Sequence, residues 1–242
     1  MPRIARSLLC GQFLHVIVQG INKEKIFYKA EYKNEYKKLL QRETKNKNID
    51  IVAYCIMDNH AHMLLFVKET KELSACMQKI NTSYAIYFNK KEKRVGIVYR
   101  NRYYTKPINS EYHLARCIVY IHRNPVKAGI INNESQYEYS SYNEYYNKKE
   151  QDIIIIKSIE DIFGNIDNFR NIMNSIGEVP SKEFEIEDDI DYNKLIKEYR
   201  SKNLTDDIII KKLSQEYKMS SRKIAELLGI TRYYVRNNIE NK

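Results

Sequence analysis

Residues 49–67, IDIVAYCIMDNHAHMLLFV, place two apolar runs on either side of Asp58-Asn59. Asp and Asn bond their own backbone and tolerate turn conformations, so the stretch predicts a hairpin pairing Ile49–Met57 with His60–Val67. Phe13–Gln19, short, β-branched and bounded by Gly11 and Gly20, predicts a further strand. Helical spacing follows in Glu31–Lys45, through Tyr32, Tyr36, Leu39 and Leu40, and in Lys71–Lys90, through Leu73, Met77, Ile80, Tyr84 and Phe88. Ile97–Tyr99 and Tyr103–Ile108 read as extended and Glu111–Arg123 as helical. Pro125 disfavours a helical backbone at Asn124, so this helix should end about there. The order is β-α-β-β-α-β and then a helix. It predicts an α+β fold of the ferredoxin-like, split βαβ kind: an antiparallel sheet with helices packed on one face.

No apolar run approaches the roughly 18 residues that a membrane span needs, so no membrane partner is expected. The first residues, MPRIARSLLC, lack the apolar core and cleavage site of a secretory leader. Cys10, Cys55, Cys76 and Cys117 stand apart with no CxxC pair. That argues against a zinc ribbon and for a reducing, cytoplasmic setting.

The net charge of +10 is unevenly spread. Residues 1–150 carry 26 Lys/Arg against 14 Asp/Glu, residues 151–200 carry 6 against 12, and residues 201–242 carry 9 against 5. Two basic segments joined by an acidic one suggest two polyanion-binding modules and a connector. An AT-rich genome would also favour Lys, Asn, Ile and Tyr, so charge alone does not decide for nucleic acid. Three segments are therefore expected: a main domain over 1–150, an acidic, partly helical connector over 151–200, and a small all-α domain over 201–242.

The last segment has a pattern of its own. In SSRKIAELLGITRYYVRNNI, Ile224, Ala225 and Leu228 share a face, Gly229 suits a tight turn, and Thr231 can cap a second helix with Val235 and Ile239 inward. Leu204–Tyr217 supplies the helix before it. This is a helix-turn-helix pattern, and its second helix would expose Arg232, Tyr233, Arg236 and Asn237, types that reach phosphates and base edges. A helical packing domain without a ligand would look alike.

Side chains alternate along a strand, so His60 and His62 should project from one face, about 7 Å apart. Such a pair can converge on one divalent ion or be buried as packing. Within CIVYIHRNPVKAG, Tyr120 and Asn124 lie four residues apart, on one face of a helix if Asn124 keeps its last turn. A helix lying on the sheet could bring that face over the histidines. Tyrosine, two imidazoles and an amide oxygen are what phosphodiester transesterification needs: a cation to neutralise phosphate and a phenolate to attack phosphorus. Arg100, Arg102 and Lys106, interleaved with Tyr99, Tyr103 and Tyr104, suit tracking and stacking of a single strand, as would a solvated strand edge. His15, His113 and His122 read as structural.

These residues carry a family resemblance. NHAHMLL resembles the His-hydrophobic-His motif of HUH endonucleases, and YIHRNPVKAGI the tyrosine helix of the single-tyrosine HUH transposases. The nearest branch is the REP-associated tyrosine transposases, which GIVYRNRYYTKPI and YEYSSYNEYY also resemble, over about residues 1–147. The resemblance implies a ferredoxin-like fold and nicking of single-stranded DNA near hairpins through a 5′-phosphotyrosine. It also implies Mg²⁺ or Mn²⁺ as cofactor and a homodimer. Residue by residue, it makes His60 and His62 metal ligands, Tyr120 the nucleophile, and Asn124 the polar residue that completes the metal shell. Three positions depart from the family pattern: Asp58 stands where Pro is usual, Gln19-Gly20 where Arg-Gly is usual, and Tyr139 where Trp is usual.

Two other classes compete. One is a non-catalytic DNA-binding regulator that keeps the old site as packing. The other is a histidine-triad nucleotide hydrolase, which wants a third histidine at Leu64.

Overall fold

The structure is a computed structural model, and it describes residues 12–146, 153–155, 157–180, 183–184, 192–215 and 219–240. Cys10, Gly11, the N-terminal stretch and the acidic run 185–191 lie outside these residues. The chain divides into two units, residues 1–184 and 185–242.

The first unit is built on four strands: β1 (Gln12–Gln19), β2 (Asp50–Ile56), β3 (His60–Val67) and β4 (Tyr104–Ile108). They pair antiparallel in the order β2-β3-β1-β4. Asp58-Asn59 makes the expected turn, closed by Met57 N–H donating to the His60 carbonyl at 2.8 Å. The expected extended segment at 97–99 is reduced to a single bridge, Gly20 with Tyr99. Helices α1 (Ala30–Asn46) and α2 (Thr70–Lys91) share one face of the sheet, as expected. There Tyr36, Leu40, Met77 and Tyr84 meet Val16, Val18, Met63 and Leu65 from alternate strand positions. Each such side chain contributes roughly 1.5–3 kcal/mol on burial, so this face holds the α1–α2 layer firmly.

The other face is not bare. Helix α3 (Glu111–Lys127) lies across it, with Leu114, Cys117, Ile118 and Ile121 against Ala53, Cys55, Leu64 and Phe66. Sequence placed helices on one face only; the strongly apolar side of α3 needs a partner, and this face of β2 and β3 is equally apolar. The helix also runs through Pro125 to Lys127 rather than stopping near Asn124. A proline this close to a C-terminus removes one main-chain donor, and the last turn is still closed by Ala128 N–H on the Asn124 carbonyl at 3.0 Å.

Residues 137–146 run along the outer edge of β2. Ile56 N–H donates to the Tyr139 carbonyl at 2.9 Å, and Tyr137 Oη donates to the Ile56 carbonyl at 2.8 Å. Helices α4 (Lys157–Phe163) and α5 (Ile166–Ser175) then join the core beneath α3 through Ile159, Phe163, Phe169 and Met173. The acidic stretch expected as a connector over 151–200 is thus shared: its first part packs in the first unit, its last part begins the second.

The second unit comprises α6 (Tyr192–Ser201), α7 (Asp206–Gln215), α8 (Ser221–Leu228) and α9 (Arg232–Glu240). Its core is Leu195, Ile209, Ile210, Leu213, Ile224 and Val235 with their neighbours. Gly229 takes φ 69° between α8 and α9, a conformation that glycine alone adopts without cost. Thr231 Oγ1 caps α9 by accepting from Tyr234 N–H at 3.2 Å. Ile239 differs from expectation. It lies in the last turn of α9 and stays 38% exposed.

Candidate active site

Alternation along β3 sends Ala61, Met63 and Leu65 toward α1 and α2, and His62, Leu64 and Phe66 toward α3. His60 and His62 are therefore on the side of the tyrosine helix. Their rings are perpendicular, with centroids 4.8 Å apart. The Tyr120 ring stands edge-on to His62 at 5.5 Å. Sequence placed these three residues on facing elements, and the structure brings them together within one chain.

A third imidazole joins them. Across the β1–β3 pairing, Ile17 faces His62 and His15 faces Leu64, so His15 sits diagonally beside His62. His15 Nε2 lies 3.1 Å from His62 Nδ1, and the His15 ring meets Tyr120 at 6.0 Å. His15 is wholly buried and His62 nearly so. Burial holds His15 down to about 3 and His62 well below the ordinary imidazole value, helped at His62 by its histidine neighbours, so both rings are neutral near pH 7.

Do these residues fit a divalent cation? His60 Nδ1 is engaged by Asn59 Oδ1 at 2.6 Å, and His62 Nδ1 by His15 Nε2. With its Nδ1 taken by His15, His62 offers Nε2 to a cation, and a neutral imidazole is the form that ligates. Asn124 turns its amide nitrogen back to the Tyr120 carbonyl at 2.9 Å, which assigns the amide oxygen as its outward donor. Among the described residues no group of three or more His, Cys, Asp or Glu forms a cage. The two imidazoles, His60 and His62, are of a type that ligates a divalent cation, with room in its shell for oxygen ligands.

Residues 11–124 match the family model described as Transposase IS200 like. That stretch is similar to IS200-like transposases over a little under half of the chain. A Haemophilus influenzae protein described as a REP-associated tyrosine transposase is 24% identical over 140 residues, covering 54% of this chain and 78% of that one. The solved structure of a REP-associated tyrosine transposase bound to a REP hairpin matches with TM-score 0.50 and 17% identity. That match covers 63% of this chain and 90% of the other, and it shows a shared fold.

In the first unit Tyr120 is not open to solvent: it is 3% exposed. Phe184 lies against it at 5.1 Å, touching His15 and His113 as well. Cations of α3 fasten the same cover. Lys127 Nζ donates to the Val179 carbonyl at 2.8 Å while standing 5.2 Å over the Tyr120 ring. Arg123 donates to the Gly177 carbonyl at 2.7 Å, and Arg116 pairs with Glu183.

The basic residues expected at the site separate. Lys106 pairs across from His15 in β4 and so shares the histidine face. Arg100 and Arg102 are exposed just before β4. Tyr103 bonds Ser74 at 3.0 Å and packs with the α1–α2 layer, away from the histidines. His122 holds Ser141 Oγ at 2.9 Å among Tyr142 and Tyr145, a structural role as expected. Sequence reading missed His15, Lys127 and Phe184. The alternation His15-Ile17-Gln19 put His15 on one face, but which residue of β3 it meets depends on register. In the second unit Arg232, Tyr233, Arg236 and Asn237 are all exposed on α9.

Proposed function

We propose that this chain cuts and rejoins single-stranded DNA through Tyr120, as a divalent-metal-dependent transposase acting on hairpin-flanked targets. The observation that carries the reading is the single-chain row Tyr120, His62, His60, with ring spacings of 5.5 Å and 4.8 Å. The Tyr120 oxygen loses its proton and attacks the backbone phosphorus. The bond from phosphorus to the 3′ oxygen breaks, that oxygen takes up a proton, and the 5′ phosphate stays on the tyrosine. Attack by another 3′-hydroxyl reverses the step and transfers the strand, with no water or nucleotide consumed. Mg²⁺ or Mn²⁺, held by His60, His62 and Asn124, supplies positive charge that neutralises the phosphate and favours the phenolate. Lys106 on the histidine face, with Arg100 and Arg102 beside β4, draws in the DNA backbone.

The hairpin enters this reading from the relative solved with a REP hairpin. Residues 201–242 serve as a helix-turn-helix reader, with Arg232, Tyr233, Arg236 and Asn237 on the element that meets the groove. Because Tyr120 faces His62 of its own chain, the reading has the site built in cis, and catalysis does not depend on the homodimer that the resemblance implies.

The competing reading, a non-catalytic DNA-binding regulator, draws on the near-complete burial of Tyr120. One experiment separates the two. The full chain is incubated with Mn²⁺ and hairpin-flanked single-stranded oligonucleotides, and any covalent adduct is mapped by mass spectrometry. The expected result is an adduct on Tyr120 that Tyr120→Phe abolishes; equal cleavage by that variant removes the assigned nucleophile.

A further inference from the structure

We propose that His15 is a positioning residue for the metal-side imidazole of His62. The inference rests on the reading of His60 and His62 as metal ligands. His15 Nε2 lies 3.1 Å from His62 Nδ1, and the rings are inclined by only 18°, so the two nitrogens meet nearly in plane. In the ligating tautomer His62 carries its proton on Nδ1 and donates it to His15 Nε2, which leaves the Nε2 lone pair of His62 for the cation. A ligating histidine whose other nitrogen is held this way keeps its tautomer and its ring orientation. His60 has the same support from Asn59 Oδ1 at 2.6 Å. Each metal-side ring thus has one polar partner behind it, supplied by the turn for His60 and by a neighbouring strand for His62.

Packing alone does not account for an imidazole at position 15. The side chain is 0% exposed, and its Nδ1 has no hydrogen-bond partner in the protein. A buried, unsatisfied polar atom is costly, and an apolar residue facing Leu64 would avoid that cost. What the imidazole offers in return is the acceptor at Nε2. The opposite tautomer, with His15 donating, would place the His62 proton on Nε2 and close that atom to a cation.

The test measures Mn²⁺ binding to the full chain by titration calorimetry, with circular dichroism and a melting curve for each variant. His15→Phe keeps a planar ring and removes the acceptor; His15→Gln restores an acceptor oxygen close to the same place. Wild type should bind Mn²⁺ and His60→Ala/His62→Ala should not. His15→Phe should bind about 10- to 100-fold more weakly, and His15→Gln should recover most of the loss. Wild-type affinity in His15→Phe, or a His15→Gln as weak as His15→Phe, overturns the role of His15 and leaves the metal site standing. Equal binding by wild type and the double alanine variant overturns both. If His15→Phe does not fold, nitrogen NMR of the Mg²⁺-loaded wild type decides. The His62 proton is expected on Nδ1, and finding it on Nε2 refutes the proposal.

Discussion

The ring of Phe184 lies 5.1 Å from that of Tyr120, inclined by 32°. Phe184 is itself fully buried, so the contact closes the phenol from outside while filling the space between α3 and His15. Phe184→Ala should therefore do two separable things. Truncating a buried phenylalanine costs about 3–5 kcal/mol of stability, read as a lower melting temperature. Below that temperature, nitration of Tyr120 by tetranitromethane should become several-fold faster, as followed by peptide mapping. An unchanged nitration rate would mean that other residues shut the phenol in.

The position of the chain break matters for any shortened form. Ile159, Phe163, Phe169, Met173 and Phe184 belong to the core beneath α3. A chain ending at Phe184 is expected to unfold in one cooperative step. A chain ending at residue 150 should expose that core, seen as strong binding of a fluorescent apolar dye and loss of a sharp melting transition.

His122 gives a pH dependence with a defined sign. Burial lowers its pKa from the ordinary 6.5 to about 3 in the folded chain. The unfolded chain therefore binds a proton that the folded one does not between these values, so stability is complete above about 6.5 and falls as pH drops toward 3. The slope for one such proton is about 1.4 kcal/mol per pH unit. His122→Gln can keep a hydrogen bond to Ser141 and cannot titrate, so urea melts across this window should show a shallower pH dependence by about one proton.

If α9 is a DNA reader, its exposed arginines act mainly on phosphates. Arg236→Ala should weaken binding of the full chain to duplex DNA about equally across sequences and reduce the slope of log affinity against log salt by about 1. An unchanged slope would place Arg236 outside the interface.

The sheet and its main helices were legible because strands covered on both faces read as short continuous apolar runs, while helices covered on one face keep a 3.6-residue period, and both show in residues 12–127. The tyrosine and the histidine pair were legible for the same reason: each spacing fixes a face, and a family resemblance linked the two faces. What escaped was set by contacts between elements remote in sequence. His15 joins His62 only because the register places Ile17 across from His62. Phe184 reaches Tyr120 from 64 residues downstream, through α4 and α5, which had no strong pattern of their own. The run of α3 through Pro125 was missed because the preference of the residue before a proline for extended backbone was overridden at Asn124, where the helix packs on the sheet and ends two residues past the proline.

The turn that carries His60 has a further consequence. Asp58, where the family resemblance leads one to expect proline, is fastened by Lys33 Nζ at 2.7 Å, and Lys25 stands 3.7 Å away. A pyrrolidine ring stiffens a loop whatever the solvent contains, whereas charge pairing yields to dissolved ions. In this chain the Lys25 pair, with that side chain 71% exposed, is open to dissolved salt, while the Lys33 pair, with that side chain 7% exposed, is screened far less. Only the outer part of the tether ahead of His60 therefore loosens as ionic strength rises.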